Sequence, residues 1–213
     1  MKENKSLTTI EIEKIIKIAK EKSKACQSTL YIHDIENIIG HNKHEIKKPN
    51  KLSELRSLLL DIDNKLNVEN SDLVIISGNY NLLQFINKLY YKKTPCEEIL
   101  IPAKGRDAAD IKLIETIYLL HKAGIIDMFK NVVIISGDNR FYTPIKELIE
   151  GGFDVKTYSK SPETTANNIR NINNHKYVNN LNKQKITRSK QKKRNFSISR
   201  EDKFLYNYKK VAV

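Results

Sequence analysis

Apolar positions along this chain follow two alternating rhythms. Short unbroken apolar runs read as buried strands: Leu30-Tyr31-Ile32, Leu73-Val74-Ile75-Ile76, Ile99-Leu100-Ile101 and Val132-Val133-Ile134-Ile135. Between them, apolar residues recur at helical spacing. Thr8-Thr9-Ile10-Glu11 forms a capping box, and Ile12, Ile15, Ile16 and Ala19 then share one face, which predicts a helix over 8–25. The strand at 28–34 leads into a charged loop through Pro49. Leu52, Leu55, Leu58, Leu59, Ile62 and Leu66 predict a helix over about 51–67. The strand from Asp72 ends in a Ser77-Gly78 turn, and a short helix carries Leu82, Phe85, Ile86 and Leu89. A strand over 98–101 stops at Pro102, and a helix follows over 107–122. After the strand at 131–136 comes a helix with Pro144 in its first turns and Gly151-Gly152 at its end. A strand at 153–158 and a last helix at 162–172 complete the pattern.

Strands alternating with helices through short connections predict an α/β domain whose mostly parallel sheet is covered on both faces. The expected organisation is an amphipathic N-terminal helix over 1–27, an α/β domain over 28–182 and a tail over 183–213. No apolar run approaches the roughly 18 residues of a membrane span, and the mixed charges of Met1–Lys5 lack the apolar stretch of a secretion signal. Two distant cysteines, Cys26 and Cys96, make neither a disulfide framework nor a zinc site. An intracellular, cytoplasmic protein without membrane contact is therefore expected.

Charge changes the picture at one end. The net charge is +13, and residues 183–213 hold eleven Lys or Arg against Glu201 and Asp202, so nine of the thirteen charges lie there. Density of this kind points to a polyanion, most plausibly nucleic acid, with Lys190, Lys192, Lys193 and Arg194 the densest group. A solvated tail that aids solubility, or a nuclear address in Lys190-Gln191-Lys192-Lys193-Arg194, is the alternative. Phe204, Tyr206 and Tyr208 could stack on bases or dock on the domain.

Candidate chemistry gathers where strands end. Asp34 follows Leu30-Tyr31-Ile32-His33, Asp107 and Asp110 open the helix after Lys104-Gly105-Arg106, and Asp138 follows Ser136-Gly137. In open α/β sheets, ligands gather at the carboxyl ends of strands. Three carboxylates there form a hard-oxygen pocket suited to Mg²⁺ or Mn²⁺ and to phosphodiester hydrolysis. Each motif also has a plainer account. Asp34 suits an N-cap, Asp107 and Asp110 complement a helix dipole, and Gly137-Asp138 suits a turn. Their coincidence on one sheet edge is the stronger signal, because like charges so close need a cation or a proton. Asp110, three residues into its helix, is the metal-facing candidate. Asn37 and Lys104 would position ion and phosphate, Glu36 would support Asp34, and Ser136 adds a hydroxyl. His33 suits a general base or simple packing. No phosphate-cradling glycine loop is present, so a nucleotide cofactor is not expected.

These residues resemble a known family. Asp34-Ile35-Glu36-Asn37, Ala108-Ala109-Asp110 and Ser136-x-Asp138-x-x-Phe141, with Gly152-Phe153-x-Val155 beyond, are similar to the limkain-type branch of the NYN domains among PIN-like ribonucleases. The likeness runs from about Thr29 to Leu181. It implies a three-layer α/β/α PIN-like fold and divalent-metal-dependent endoribonuclease activity on RNA, single-stranded RNA above all. The family's acidic positions map onto Asp34, Asp110 and Asp138. Many NYN proteins carry a further Asp where this chain has Arg140, and limkain-type relatives tend to have Asn there. Arg140 removes a ligand and adds a cation, which would bind substrate phosphate or mark a domain that binds RNA without cutting it.

Overall fold

The structure, a computed structural model, describes residues 5–24, 27–39, 62, 64, 66–84 and 97–177. It divides into two units, Met1–Val178 and Asn179–Val213, the second outside the described residues. Cys26, Cys96 and the basic tail with Lys190, Lys192, Lys193 and Arg194 also fall outside them, as does most of the helix expected over 51–67. Of that helix, positions 62, 64 and 66 are described and are helical.

The described elements begin with helix α1 (Thr9–Lys22), strand β1 (Thr29–Asp34), helix α2 (Ile35–Ile39), strand β2 (Leu73–Asn79) and strand β3 (Glu97–Ala103). Helix α3 (Ala108–Lys122), strand β4 (Asn131–Ile135), helix α4 (Tyr142–Glu150), strand β5 (Val155–Ser159), helix α5 (Asn167–Arg170) and strand β6 (His175–Tyr177) follow. All six strands are parallel, in the order β3-β2-β1-β4-β5-β6. From β1 the chain builds outward to β3, then crosses back and builds the other way from β4. The direction reverses between β1 and β4, and at such a point the carboxyl ends of two neighbouring strands open a crevice.

Strand parity decides what each face buries. Leu30, Ile32, Leu73, Ile75, Val132 and Ile134 point to one side and join Ile15, Leu113, Ile117, Ile145 and Leu148 in the larger core. Tyr31, Val74, Ile76, Val133 and Ile135 point to the other side, against Ile35, Ile38, Ile62 and Leu82. The sheet therefore has helical residues packed on both faces, as the alternating pattern predicts.

Several local expectations are corrected. The segment after β1 is not a loop from its start: Ile35–Ile39 is a helical turn whose Ile35 and Ile38 are buried. The expected Ser77-Gly78 turn is strand, because β2 runs on to Asn79 beside β3. Gly78 is required there, since a Cβ would lie 2.5 Å from Ile35 Cγ2. Pro102 does not stop β3, which among the described residues is an edge strand. The helix expected over 162–172 is a 3₁₀ turn (Pro162–Thr164) followed by the short α5. Strand β6 has no apolar run to announce it. It is fixed by His175, whose ring nitrogens lie 2.9 Å from Thr157 Oγ1 and 3.0 Å from Ser159 Oγ.

Helix α1 lies in the first unit, with Ile15 and Ala19 in the larger core. Its capping box forms as the sequence indicates, and Glu11 of that box also takes the Lys112 ammonium at 2.8 and 2.9 Å. Lys112 is nearly fully buried, so removing either partner leaves a charge without compensation near the core. Lys112→Ala is expected to lower unfolding free energy by about 2 to 3 kcal/mol in urea titration, discounted for the partial exposure of Glu11. A surface control such as Lys146→Ala is expected to change it by less than about 0.5 kcal/mol.

Candidate functional site

The same parity that builds the core delivers the acids. Asp34 is the last residue of β1, and it faces the side of Leu30 and Ile32, the side covered by α3. Ser136 continues the parity of Val132 and Ile134 on neighbouring β4. Its hydroxyl, fully buried, donates to Asp34 Oδ2 at 2.9 Å and accepts from the Asp138 amide at 3.2 Å. Asn37 closes the pair from α2: its amide donates to Asp34 Oδ1 at 3.3 Å, and its side-chain oxygen accepts from the Gly137 amide at 2.9 Å. A Cβ on Gly137 would press on Asn37 Oδ1, Ser159 and the Thr164 carbonyl, each at 3.2 Å, which explains the glycine.

Helix α3 brings Asp110 to this edge in its first turn, 8% exposed. Asp138 caps the 3₁₀ turn Asn139–Phe141, accepting from the Arg140 amide at 2.8 Å. Phe141, fully buried, anchors that turn in the core. Arg140 then turns back over the acids. Its Nη1 lies 3.1 Å from Asp110 Oδ2 and 3.4 Å from Asp138 Oδ2, and its Nη2 lies 3.0 Å from Asp107 Oδ2.

Asp34, Asp110 and Asp138 are thus brought together, with Asn37, Ser136 and Arg140 in direct contact with them. Two expected contributors are elsewhere. Lys104 is exposed and follows β3, two strands away from β1, so it shares the edge but touches none of the acids. Glu36 accepts from the Asn79 amide at 2.8 Å and ties β2 down instead of supporting Asp34. Ser136 and Asn37, expected to meet substrate, are committed to holding Asp34 and Gly137. His33 has the opposite parity to Asp34, is 2% exposed and leaves Nε2 without a hydrogen-bond partner. Burial holds its pKa down at about 4, so it stays neutral in the core.

Asp107 is the participant that sequence reading mistook. It precedes α3 as a cap should, yet its φ of 62° is left-handed and its side chain makes no capping bond. The carboxylate goes to Arg140 instead. The available signal was residue type, since Asp and Asn tolerate this backbone region better than most residues.

The electrostatics follow from crowding. Burial first, then the Asp110 charge, pushes Asp34 up to about 8, against the hydrogen bond from Ser136. Burial and the Asp138 charge raise Asp110 to about 6, with Arg140 pulling the other way. Asp34 and Asp110 thus sit close enough for each to raise the cost of ionising the other. The donors are all oxygen and short of positive charge, so their chemistry fits a hard divalent cation. Among the described residues, no three acids, histidines or cysteines are already arranged as a ligand set. In this arrangement the guanidinium supplies the positive charge.

No helix among the described residues is long and apolar enough to cross a membrane. The chain matches no family model, no curated protein and no solved structure.

The raised Asp34 carboxyl has a consequence for stability. Between its ordinary value near 3.8 and about 8, the folded state holds more protons than the unfolded one, so stability falls as pH rises through that window. His33, depressed from 6.5 to about 4, opposes this only below about pH 6.5. Melting temperature is therefore expected to fall between about pH 6.5 and 8, and Asp34→Asn is expected to flatten that slope. An unchanged slope in Asp34→Asn would place the proton elsewhere.

Proposed function

We propose that this chain is a divalent-metal-dependent ribonuclease built on the PIN-like form of the α/β architecture and acting inside the cell. The observation that carries the reading is the convergence of Asp34, Asp110 and Asp138 at the point where strand order reverses. Nothing in packing calls for three acids there, and the cost of their mutual repulsion needs a functional return.

In this reading Asp34, Asp110 and Asp138 hold Mg²⁺ or Mn²⁺. When bound, the ion would supply positive charge for the scissile phosphate and an acidified water for in-line attack. Ser136 and the Asn37 amide hold the Asp34 carboxyl in a fixed rotamer, which spares the site that ordering when substrate arrives. Arg140, nearly half exposed, faces solvent over the acids and is the residue best suited to a phosphate oxygen. Lys104 extends the positive edge along the sheet, and the basic residues of 183–213 add sequence-blind attachment to RNA.

A second reading is favoured by one contact. Arg140 satisfies Asp107, Asp110 and Asp138 at once, and a permanent ion pair there would leave an RNA-binding module that does not cut.

The test is cleavage of end-labelled single-stranded RNA in Mn²⁺, Mg²⁺ or EDTA. Metal-dependent cutting is expected, reduced by about a hundredfold or more in both Asp34→Ala and Asp138→Asn. RNA that binds but stays intact would select the second reading, and variants that cut as well as the parent would remove the site. Deleting residues 183–213 is expected to weaken RNA binding and flatten the dependence of log affinity on log salt. An unchanged salt slope would assign RNA contact to the domain alone.

A further inference from the structure

We propose that Arg140, held by Asp107, is a built-in counter-ion that closes the acidic site until an RNA phosphate draws its guanidinium away, so that substrate and divalent ion bind as a coupled pair. This rests on the reading of Asp34, Asp110 and Asp138 as the cation site and adds how access to that site is controlled.

The geometry is that of a cation already in place. One guanidinium nitrogen spans Asp110 Oδ2 and Asp138 Oδ2, and the other meets Asp107 Oδ2. The lone pairs a metal ion would use on Asp110 and Asp138 are directed at N–H donors. Charge favours exchange rather than permanence. Asp107, Asp110 and Asp138 carry three negative charges against Arg140 and the exposed Arg106, which lies 3.7 Å from Asp107 Oδ2, so the closed site stays net negative and still attracts cations.

Asp107 carries the independent evidence for a built latch. A residue at the start of a fifteen-residue helix would ordinarily cap it, and Asp is among the preferred caps. Here the backbone sits at φ 62°, ψ 7°, a left-handed region that few residues besides Gly, Asn and Asp adopt, and the cap bond is forgone. What the conformation achieves is the contact with Arg140. Asp107 is not one of the three proposed ligands, so it contributes to closing the site without contributing to holding the ion.

The hinge is equally defined. The Arg140 amide is bonded to Asp138 and the next residue, Phe141, is fully buried, so the backbone of the turn is fixed. Only the side chain, 44% exposed, has room to move. A guanidinium exchanges carboxylate partners for phosphate oxygens with little loss of hydrogen bonding, because both accept its fork in two places. A phosphodiester arriving at the edge therefore competes for Arg140 directly, and its departure frees two carboxylates for the ion.

Mn²⁺ binding, followed by the electron paramagnetic resonance of the free ion, tests this without reference to cleavage. Parent, Arg140→Gln and Asp107→Asn proteins are compared with and without a short phosphorothioate single-stranded RNA. Arg140→Gln is expected to bind Mn²⁺ about tenfold or more tightly than the parent, with Asp107→Asn between them. The RNA is expected to tighten Mn²⁺ binding in the parent by a similar factor and to have little effect in Arg140→Gln. Asn tolerates the left-handed backbone at position 107, so that variant carries the test if Arg140→Gln does not fold. Mn²⁺ binding to both variants no tighter than to the parent would overturn the latch while leaving the cation site standing. No Mn²⁺ binding in any of the three proteins, with or without RNA, would overturn the cation site and the latch together.

Discussion

Repulsion among carboxylates at one edge of the sheet is the constraint around which this structure is arranged. Asp34, Asp110 and Asp138 sit on three different elements, and each would be easier to accommodate apart. Together they push the carboxyls of Asp34 and Asp110 above their ordinary range and draw a guanidinium across Asp110 and Asp138. Both responses are what a low-dielectric pocket does with excess negative charge. The surrounding bonds serve the same end. Ser136 and the Asn37 amide fix the two Asp34 oxygens, and Asn37 also fixes the Gly137 turn that leads to Asp138.

The rest of the fold explains why the cluster survives this cost. A parallel sheet buried on both faces gives β1 and β4 little freedom, so the residues that end them are held rigidly. Helix α3 is braced from behind by the Lys112–Glu11 pair and by the Leu7 amide, which donates to Glu115 at 2.7 Å. Its first turn cannot retreat from the sheet. The charge is therefore balanced locally, through Arg140 and Asp107, rather than by movement of the elements.

Much of the fold was legible because it depends on short-range pattern. The four apolar runs became strands β1 to β4, and the Thr8 capping box starts a helix as its sequence indicates. Asp34, Asp110 and Asp138 were legible as site candidates because strand ends in α/β sheets converge, whatever the order of the strands. Less legible were features set by partners distant in sequence. Pro102 lies within a strand because β3 is at the edge, and β6 exists through His175 and its two hydroxyl partners. Asp107 reads as a helix-opening acid because helix starts follow a local rule, whereas its partner Arg140 lies thirty-three positions away.

Sequence alone determined which residues alternate, which helices are capped and which strands end in acids, because these follow from neighbours a few bonds apart. It also determined that positive charge concentrates beyond residue 182. Tertiary structure decided the strand order, and with it that β1 and β4 are adjacent and Asp34 meets Ser136. It decided that His33 is sealed on the opposite face while Asp34, equally buried, ends β1 on the side of the acid cluster. It decided, above all, that Arg140 spans the acids, because an ion pair among Asp107, Asp110 and Asp138 depends on where two helical turns and a strand end meet in space.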